Sequence, residues 1–493
     1  MKKIYMLLLL TFGYTGMSQE TTVQDALRYS MDNLTGTARF RAMSGAFGSL
    51  GGDLSAININ PAGSAIFNHN MASITASSFN TYNKSNYFGG RTSDSYSILD
   101  LNQIGAVFVF ADQSGKTDWK KFSLAINYEN TNNLDDRLFS AGTNPNNTIG
   151  NYFLNFAQGI PVSVLDNYTY AELSFPEQQA YLGYNTYLFD PDSPDTYTSN
   201  IPPGNFYQEN YIVSNGYNGK LAFNFATSYK DKLYLGLNLN AHFTDYVRKS
   251  TVLERNHNDP NIGVTEIKFD NELYTYGAGF SMNLGAIFQP IEELRLGVAY
   301  ESPTWYRLND ELSQRIRAVS IDGANTYVDS FDPNVLNVYP TYRLQTSQKL
   351  TGSASYIFKK KGLISIDASL KDYSITRFSP TNDPAYVNLN SFMADNLKTS
   401  LEVRIGGEYR IKQFSLRAGY RFDESPYKVD YALGDLTGYS GGVGFNFGES
   451  KLDLAYSHTD RNYNQNFVSS GMNDTARIRT RQNNVTLTYS INF

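Results

Sequence analysis

The stretch that decides the fold is Val485-Thr-Leu-Thr-Tyr-Ser-Ile-Asn-Phe493, in which every odd position is apolar or aromatic and every even position is polar. Successive side chains of a β-strand point to opposite faces, so this segment has one apolar and one polar face. The pattern recurs many times along the chain between turn residues. Such recurrence is typical of a transmembrane β-barrel, whose outside contacts lipid and whose lumen contacts water.

Alternation and turn residues together predict fourteen strands, an even number, as in single-chain bacterial barrels. The predicted strands cover 71–82, 99–111, 119–131, 217–229, 233–250, 264–288, 293–317, 342–358, 363–378, 397–411, 413–424, 435–447, 451–463 and 476–493. Short connections alternate strictly with long ones, which cover 83–98, 132–216, 251–263, 318–341, 379–396, 425–434 and 464–475. Because periplasmic turns are short and outer loops are long, we expect a multi-pass protein of the bacterial outer membrane with both chain ends in the periplasm.

Composition and the first residues agree with this class. Residues 1–18 read as a signal peptide, because Lys2 and Lys3 precede an apolar run and a small-residue cleavage site. A mean hydropathy of −0.40 excludes a helical membrane protein, and the absence of cysteine excludes disulfides and a cysteine-linked lipid anchor. A net charge of −6 without a basic block argues against nucleic acid as a partner. A soluble secreted sandwich array stays open on composition alone.

The strand register places a charged set of side chains in the lumen, namely Glu402, Arg404, Arg417 and Arg421. Charges of both signs on a lumen face need water or partners. They predict either a network that holds an internal plug or the lining of a conduit. Strand 99–111 differs, because its inward positions Val107 and Val109 are apolar and predict an apolar part of the cavity.

Residues 19–70 do not alternate and carry many small residues: Gly36, Ala38, Ala42, Ser44, Gly45, Ala46, Gly48, Ser49, Gly51 and Gly52. Small residues let a backbone pack closely in a confined space, and a fourteen-stranded lumen is wide enough to need filling. We therefore predict an all-β fold: a fourteen-stranded antiparallel transmembrane β-barrel with an N-terminal hatch inside the lumen. The predicted units are a signal peptide at 1–18, the hatch at 19–70 and the barrel at 71–493.

Within the hatch, Arg41-Ala-Met-Ser-Gly45, Asp53 and the motif Asn60-Pro61-Ala62 resemble the hatch of the FadL/TodX family. Members of that family are outer-membrane channels for long-chain fatty acids and other hydrophobic compounds. The resemblance extends over the whole chain, including the strand number and the terminal aromatic residue. It implies that Asn60, Pro61 and Ala62 relay ligand arrival to hatch movement. Taken alone, Asn60 and Pro61 are typical of a turn that ends a plug.

Two further features of the family find different support in this chain. The resemblance implies a kink in the third strand that opens a lateral exit, but 122–128 contains no glycine or proline. It also implies a ligand groove on a long outer loop. The longest connection, 132–216, carries Phe153, Phe156, Ile160, Val164 and Leu165 at roughly helical spacing. Such a stripe forms either the loop's own core or an exposed ligand groove.

Enzyme chemistry is not indicated. Gly438-Tyr-Ser-Gly-Gly442 matches the G-x-S-x-G pattern of serine hydrolases, but it lies in an alternating strand instead of a strand-to-helix turn. The four histidines lack metal-ligand spacing, and the acidic stretch 190–195 lacks the glycine and glutamate of an EF-hand loop. We predict no catalytic residue, no metal and no cofactor.

The sequence thus predicts passive, ligand-gated uptake of hydrophobic compounds such as long-chain fatty acids. The alternatives are a non-transporting surface barrel, as in an adhesin or a structural protein, and a water-filled porin for polar solutes. Expected partners are hydrophobic small molecules, outer-membrane lipid and lipopolysaccharide, and the barrel-assembly machinery, which would bind the C-terminal strand ending at Phe493. We expect a monomer.

Overall fold

The computed structural model describes residues 21–114, 116–359, 361–429 and 432–493. The predicted signal peptide lies outside these residues. The strands are β1 (Met71–Tyr87), β2 (Gly90–Ala111), β3 (Trp119–Asn133), β4 (Asp136–Asn144), β5 (Phe189–Pro191), β6 (Tyr197–Ser199), β7 (Phe206–Tyr229), β8 (Leu233–Arg255), β9 (Ile262–Ile291), β10 (Leu294–Glu301), β11 (Trp305–Asp322), β12 (Asn325–Phe331), β13 (Asn337–Val338), β14 (Tyr342–Gln345), β15 (Gln348–Phe358), β16 (Gly362–Asp372), β17 (Arg377–Ser379), β18 (Thr399–Ile411), β19 (Phe414–Asp423), β20 (Leu433–Asn446), β21 (Ser450–Asn466) and β22 (Thr475–Asn492). The α-helices are α1 (Val23–Ser30), α2 (Ala38–Ala42), α3 (Gly150–Ala157), α4 (Val162–Asn167), α5 (Phe175–Tyr184) and α6 (Pro384–Asn396), and single 3₁₀ turns cover Ser55–Asn58, Pro61–Ile66, Tyr170–Glu172 and Tyr373–Ile375.

All strands of the described residues except β5 and β6 belong to one antiparallel sheet, which closes where β1 pairs with β22. Some strands continue one another along the wall, namely β3 with β4, β10 with β11, β12 through β15, and β16 with β17. Counted this way, the described chain forms a closed barrel of fourteen strands, and each coincides with a predicted one. Because β1 pairs with β22, the barrel has no first or last strand with an unpaired edge.

The two faces of the wall follow the predicted register. On β22, Val485, Leu487 and Ile491 point outward and are 42–46% exposed, whereas Thr486 and Thr488 point inward and are 1% exposed. Similar apolar side chains form a belt around the outside of the barrel, where lipid would cover them. None of the helices in the described part of the chain is both long and apolar enough to cross a membrane.

Several strands are longer than predicted. The connection predicted at 83–98 is a tight hairpin, because β1 continues to Tyr87 and β2 begins at Gly90. The connection predicted at 132–216 likewise contains β4 and the start of β7. In the hairpin of β1 and β2, most positions beyond the apolar belt are polar, so backbone pairing continues where the alternation has ended. The wall therefore projects past the belt at the end with the long connections, here called the loop end; the opposite end, with the short connections, is the turn end.

Three neighbouring strands are interrupted at one height, a feature here called the wall break. Its segments are Ser302–Thr304 between β10 and β11, Thr346–Ser347 between β14 and β15, and Tyr373–Thr376 between β16 and β17. Pro303 has no N–H to give to a ladder, which accounts for the first interruption. The predicted strands 293–317, 342–358 and 363–378 are each divided by this break.

The segment before β1, residues 21–70, lies in the lumen and is here called the plug. It begins at the loop end, where α1 packs with Tyr306, Tyr342 and Met393 of α6, and it ends at the turn end beside Phe493, whose N–H donates to the Asn70 carbonyl at 3.1 Å. Residues 21 and 493, the first and last that the structure describes, therefore lie at opposite ends of the barrel. The N-terminus of the chain lies outside the described residues, so the prediction that both chain ends lie in the periplasm stays a prediction. The amphipathic α1 carries Ala26 and Leu27 into this aromatic cluster, which holds it at the loop end.

Candidate functional site

The plug meets the wall through side chains. Among the described residues, no backbone–backbone hydrogen bond joins 21–69 to any barrel strand. Each contact instead uses at least one side chain, as where the Ala38 N–H donates to Thr488 Oγ1 at 2.7 Å. Asp367 on β16 gives another example, because its Oδ2 accepts from the N–H groups of Phe47 and Gly48, each at 2.9 Å. The plug is thus anchored at many points without being part of the sheet.

The motif Asn60-Pro61-Ala62 lies against β7, β8, β9 and β10. Asn60 caps the 3₁₀ turn that follows, since its Oδ1 accepts from the Ala62 N–H at 3.1 Å. Its Nδ2 donates to the Gly48 carbonyl at 2.7 Å and to the wall carbonyl of Ala286 at 3.1 Å. The Pro61 carbonyl accepts from Asn224 Nδ2 at 2.9 Å. The motif therefore combines the turn expected from its residue types with direct attachment to the wall.

Two wall glycines make room for this motif. A Cβ at Gly285 would overlap the Asn60 side chain, and a Cβ at Gly236 would overlap the backbone between Pro61 and Ala62. Glycine inside a strand often marks such close approach of another backbone. Both glycines lie at inward positions of β8 and β9, so they are the wall's counterpart of the small residues in the plug.

The G-x-S-x-G sequence has a packing role. Ser440 Oγ donates to the Ala42 carbonyl at 3.0 Å and lies 2.8 Å from Ser44 Oγ. The nearby Arg41 is fully buried, and its guanidinium donates to Ser77 and Ser457 of the wall, each at 3.1 Å. The Ser440 hydroxyl therefore binds the plug, and the match to the hydrolase pattern reflects packing between plug and wall.

A first group of charges holds the plug near the turn end. Arg417, predicted as an inward residue, bonds Glu408 at 2.7 Å and Asp453 at 2.6 Å. Glu408 also pairs with Arg39 of the plug at 3.0 Å. This carboxylate thus joins a wall cation to a plug cation.

A second group surrounds Asp32, in the plug segment between α1 and α2. Its carboxylate pairs with Lys349 at 2.5 Å and with Lys371 at 3.0 Å, and its carbonyl accepts from Arg421 Nη2 at 2.7 Å. Burial alone would raise the pKa of Asp32, but the ammonium groups of Lys349 and Lys371 hold it well below its usual range. Glu402 and Arg404 lie in the same region of the wall and pair with each other at 3.3 Å.

The apolar inward residues of β2 contact the plug. Val107 is fully buried and, with Val109, packs against Leu54, Ile57 and Phe67. Both valines therefore face inward as predicted, but plug side chains fill the space that the sequence suggested as an apolar cavity.

The apolar stripe of the long connection lies in a core above the wall. Phe153 is fully buried and Leu165 is 3% exposed, and both belong to a cluster that includes Phe269 of β9. Phe156 and Ile160 pack against that cluster, and Val164 is half-buried. In this arrangement the stripe forms the core of the loop-end cap built by α3, α4 and α5.

A vestibule of about 580 Å³ lies at the loop end, above the plug. Its lining combines residues 21–25 and Arg28 of the plug with aromatic side chains of the wall and connections: Phe269, Tyr339, Tyr342, Phe392, Tyr427 and Phe467. Phe392 of α6 is 49% exposed. A ligand in this vestibule would contact aromatic rings and α1 together.

Beneath α1 lies a smaller central cavity of about 90 Å³, lined by residues 29–33 of the plug and by the wall break. Its lining is polar and charged, with Glu129, Lys220, His242, Glu301, Lys349 and Lys371. A third cavity of about 430 Å³ lies below the plug at the turn end. Residues 29–33 therefore separate the vestibule from a polar interior. Within the described residues, no group of three His, Asp or Glu side chains is arranged to hold a metal ion.

Sequence reasoning missed Asp32, Lys349, α6 and the wall break. Pro303 and the inward glycines of β8 and β9 were available signals for the break and for close packing. No signal in the sequence pointed to Asp32, because a single carboxylate in a non-alternating segment does not reveal its partner.

Comparisons with known proteins agree with this architecture. Residues 195–493 match the family model described as outer membrane protein transport protein (OMPP1/FadL/TodX). A crystal structure of a FadL homologue from Pseudomonas aeruginosa is 13% identical, with a TM-score of 0.55 over 94% of this chain and 100% of that chain. The crystal structure of the Pseudomonas putida toluene transporter TodX is 16% identical, with a TM-score of 0.51 over 94% and 100% of the two chains. At these identities the likeness shows the shared fold. No curated protein sequence matches the chain.

Proposed function

The chain belongs to the OMPP1/FadL/TodX family of outer membrane transport proteins, and we propose that it is a passive, ligand-gated channel for hydrophobic compounds such as long-chain fatty acids. As a member of a family of transport channels, it is not an enzyme. The loop end faces outside in this proposal, because long connections of bacterial barrels lie on that side.

The observation that carries the proposal is the shared lining of the vestibule. Aromatic side chains such as Phe392 and Tyr427 would remove apolar ligand surface from water, and α1 of the plug lies against the same space. A ligand that fills the vestibule therefore touches the plug directly. The loop-end cap with Phe153, Phe156, Ile160, Val164 and Leu165 holds the vestibule wall in place.

Gating follows from the way the plug is attached. Because only side-chain contacts hold residues 21–69 to the wall, the plug can take a second position without loss of sheet pairing. A ligand shifts such an equilibrium only by binding one arrangement more tightly than the other. Asn60, Pro61 and Ala62 fix the plug against four wall strands, so we assign them to the gate.

The central cavity favours a ligand with one polar end. Lys349 and Lys371 would attract a carboxylate that enters when α1 moves, while the apolar tail stays among the aromatic residues above. This feature favours a fatty acid over a wholly apolar compound. The plug disfavours a water-filled porin, because it fills the lumen between the cavities.

We place the exit at the wall break. The break borders the central cavity through Thr304, Thr346 and Ser347, and hydroxyl groups bridge it: Thr304 N–H donates to Thr346 Oγ1 at 2.9 Å, and Ser347 Oγ lies 3.2 Å from Thr376 Oγ1. The alternative is the junction of β2 and β3, whose pairing stops at Gln103 and Glu129 although β3 has no kink residue.

Uptake of a radiolabelled long-chain fatty acid by cells with and without the protein tests the proposal. We expect uptake to depend on the protein and to fall in the double variant Asn60→Ala, Pro61→Gly, because the gate loses the Asn60 cap, the Asn60 bond to the Ala286 carbonyl and the fixed backbone of Pro61. Gly352→Val serves as the control, since a Cβ there meets no atom within 4 Å. Equal uptake in all strains would refute fatty acids as the ligand and favour a surface-binding role.

A further inference from the structure

A cationic patch lies on the outside of the wall, on the strands that close the barrel. It consists of Lys84, Arg91, Arg477, Arg479 and Arg481, at outward positions of β1, β2 and β22. The apolar belt of β22 begins at Val485, and Arg481 lies four residues earlier on the same strand, farther toward the loop end. The patch therefore starts directly above the lipid-covered part of the wall, at the height of lipid headgroups.

The charges in this patch are crowded. Lys84 lies directly opposite Arg479, and Asn86 lies between Arg477 and Arg91 in one row across three strands. Like charges directly opposite each other destabilise a sheet. This arrangement therefore disfavours the bare protein unless an anion offsets it.

Few carboxylates of the protein lie beside these cations. Asp460 on β21 binds Arg479, with 2.7 Å between Oδ2 and Nη2, and Arg481, with 3.1 Å between Oδ2 and Nε. Among the described residues, no carboxylate lies within 4.0 Å of the charged groups of Lys84, Arg91 or Arg477. Of the five cations, only Arg479 and Arg481 thus have a carboxylate beside them.

The loop end on the opposite side of the wall has more balanced charges. There, on β8 and β11, Lys249 pairs with Glu272 at 2.9 Å, Arg255 with Glu266 at 2.8 Å, and Arg315 with Asp270 at 2.9 Å. Nearer the wall break, Arg307 of β11 lies opposite Arg343 of β14, and no carboxylate of the described residues lies within 4.0 Å of either. Both regions lie beyond the apolar belt, so solvent exposure alone does not account for the difference.

We propose that the cationic patch binds the phosphate groups of the phosphorylated glycolipid in the outer leaflet. Guanidinium groups form paired hydrogen bonds with phosphate, and several on one flat face suit a headgroup that carries two phosphates. The height of the patch above the belt favours a membrane lipid over a free anion. The proposal rests on the orientation given under the proposed function, with the loop end outside.

Binding of purified protein to lipid A tests it, measured by native mass spectrometry from neutral detergent. We expect phosphorylated lipid A to bind and dephosphorylated lipid A to bind at least about tenfold more weakly, with binding reduced by salt. The variant Lys84→Ala, Arg477→Ala, Arg479→Ala should lose the same factor. The matched control Lys249→Ala, Arg255→Ala, Arg315→Ala, on the opposite side, should bind like the wild-type protein.

Equal losses in the two triple variants would overturn the proposal, and so would equal binding of the two lipids. If inorganic phosphate at equal concentration displaces lipid A completely, the patch is a site for free phosphate. Orientation is checked separately by labelling Asn325→Cys at the loop end of intact cells with an impermeant maleimide, which is specific because the chain has no other cysteine. Lack of labelling would overturn the orientation, and with it this lipid as partner, even where binding in detergent persists.

Discussion

The carboxylate of Asp32 forms an ion pair with the ammonium group of Lys349, with 2.5 Å between Oδ2 and Nζ, and so ties the plug to the wall. The Lys349 side chain is only 6% exposed, and that of Asp32 is 30% exposed. Removal of the Asp32 carboxylate would leave the buried Lys371 without its ion pair and Lys349 with Glu301 alone, at 3.6 Å, a change that costs more than loss of a surface pair.

We therefore expect Asp32→Asn to lower the free energy of unfolding by roughly 1–3 kcal/mol. Denaturant unfolding in detergent, followed by fluorescence, measures this change. The exposed carboxylate of Glu449, in the turn before β21, provides the control, because Glu449→Gln removes the same charge without a buried partner. Equal stability of the two variants would show that the pair does not hold the plug.

The same pair predicts how stability depends on pH. The pKa of Asp32 is lower in the folded protein than in the unfolded chain, so its contribution is complete at neutral pH and is lost as the pH falls below about 4. We expect the stability difference between wild-type protein and Asp32→Asn to shrink from pH 6 to about pH 3. A difference that stays constant over this range would mean that Asp32 does not titrate through the pair.

Enlarging the wall glycines should displace the gate. Gly236→Val and Gly285→Val each place side-chain atoms where Pro61 and Asn60 lie, so the plug has to move. We expect the permeability of proteoliposomes to small sugars to rise by about tenfold, because a fourteen-stranded lumen without its plug is wide. Gly352→Val, on the outer face, should stay closed. Closed channels in all variants would show that the motif can shift without opening a path.

Cross-linking tests the exit. The pair Ser347→Cys, Thr376→Cys would join the two strands across the wall break, and the pair Thr351→Cys, Ser369→Cys would join the same strands where pairing is intact and the hydroxyl oxygens are 2.8 Å apart. We expect oxidation to lower fatty acid uptake in the first pair and to leave the second unchanged, with recovery after reduction. Unchanged uptake in both would move the exit to the junction of β2 and β3.

The vestibule predicts a change in apparent affinity. Phe392→Ala removes an aromatic ring from the vestibule lining, whereas Val387→Ala removes exposed apolar surface from the same helix away from it. We expect the half-saturation concentration for uptake to rise by about tenfold for Phe392→Ala, equivalent to about 1.4 kcal/mol. Similar values for both variants would show that the vestibule does not bind the ligand.

The fourteen strands could be predicted because lipid imposes alternation wherever the wall crosses the membrane. Val485 and Leu487 have one possible environment, so their spacing alone fixes the face of β22. Beyond the belt this constraint ends, and the hairpin at Tyr87 and Gly90 was mistaken for a loop. Local pairing there depends on backbone hydrogen bonds, which do not select apolar residues.

The sequence indicated which residues form the plug, but not the course of the plug backbone through the lumen. Its small residues indicated close packing, and Asn60-Pro61-Ala62 indicated a turn. The position of α1 depends on contacts with Tyr306, Tyr342 and Met393, which are distant in sequence and come together only in the closed barrel. The lumen charges show the same limit. The strand register predicted the inward direction of the wall charges, namely Glu402, Arg404, Arg417 and Arg421. It could not predict their plug partners Asp32 and Arg39, because the plug does not alternate.

Because the plug is attached to the wall through side chains and not through sheet pairing, plug and wall should not open as one cooperative unit. Wall amides are locked in ladders that close on themselves, so their hydrogen exchange requires disruption of the barrel. Plug amides are bonded within the plug or to wall side chains such as Asp367 and Thr488, and release of these anchors exposes them in a much smaller opening. The protein should therefore contain two exchange populations, a slow wall and a faster plug, joined at the single covalent crossing from Asn70 to Met71.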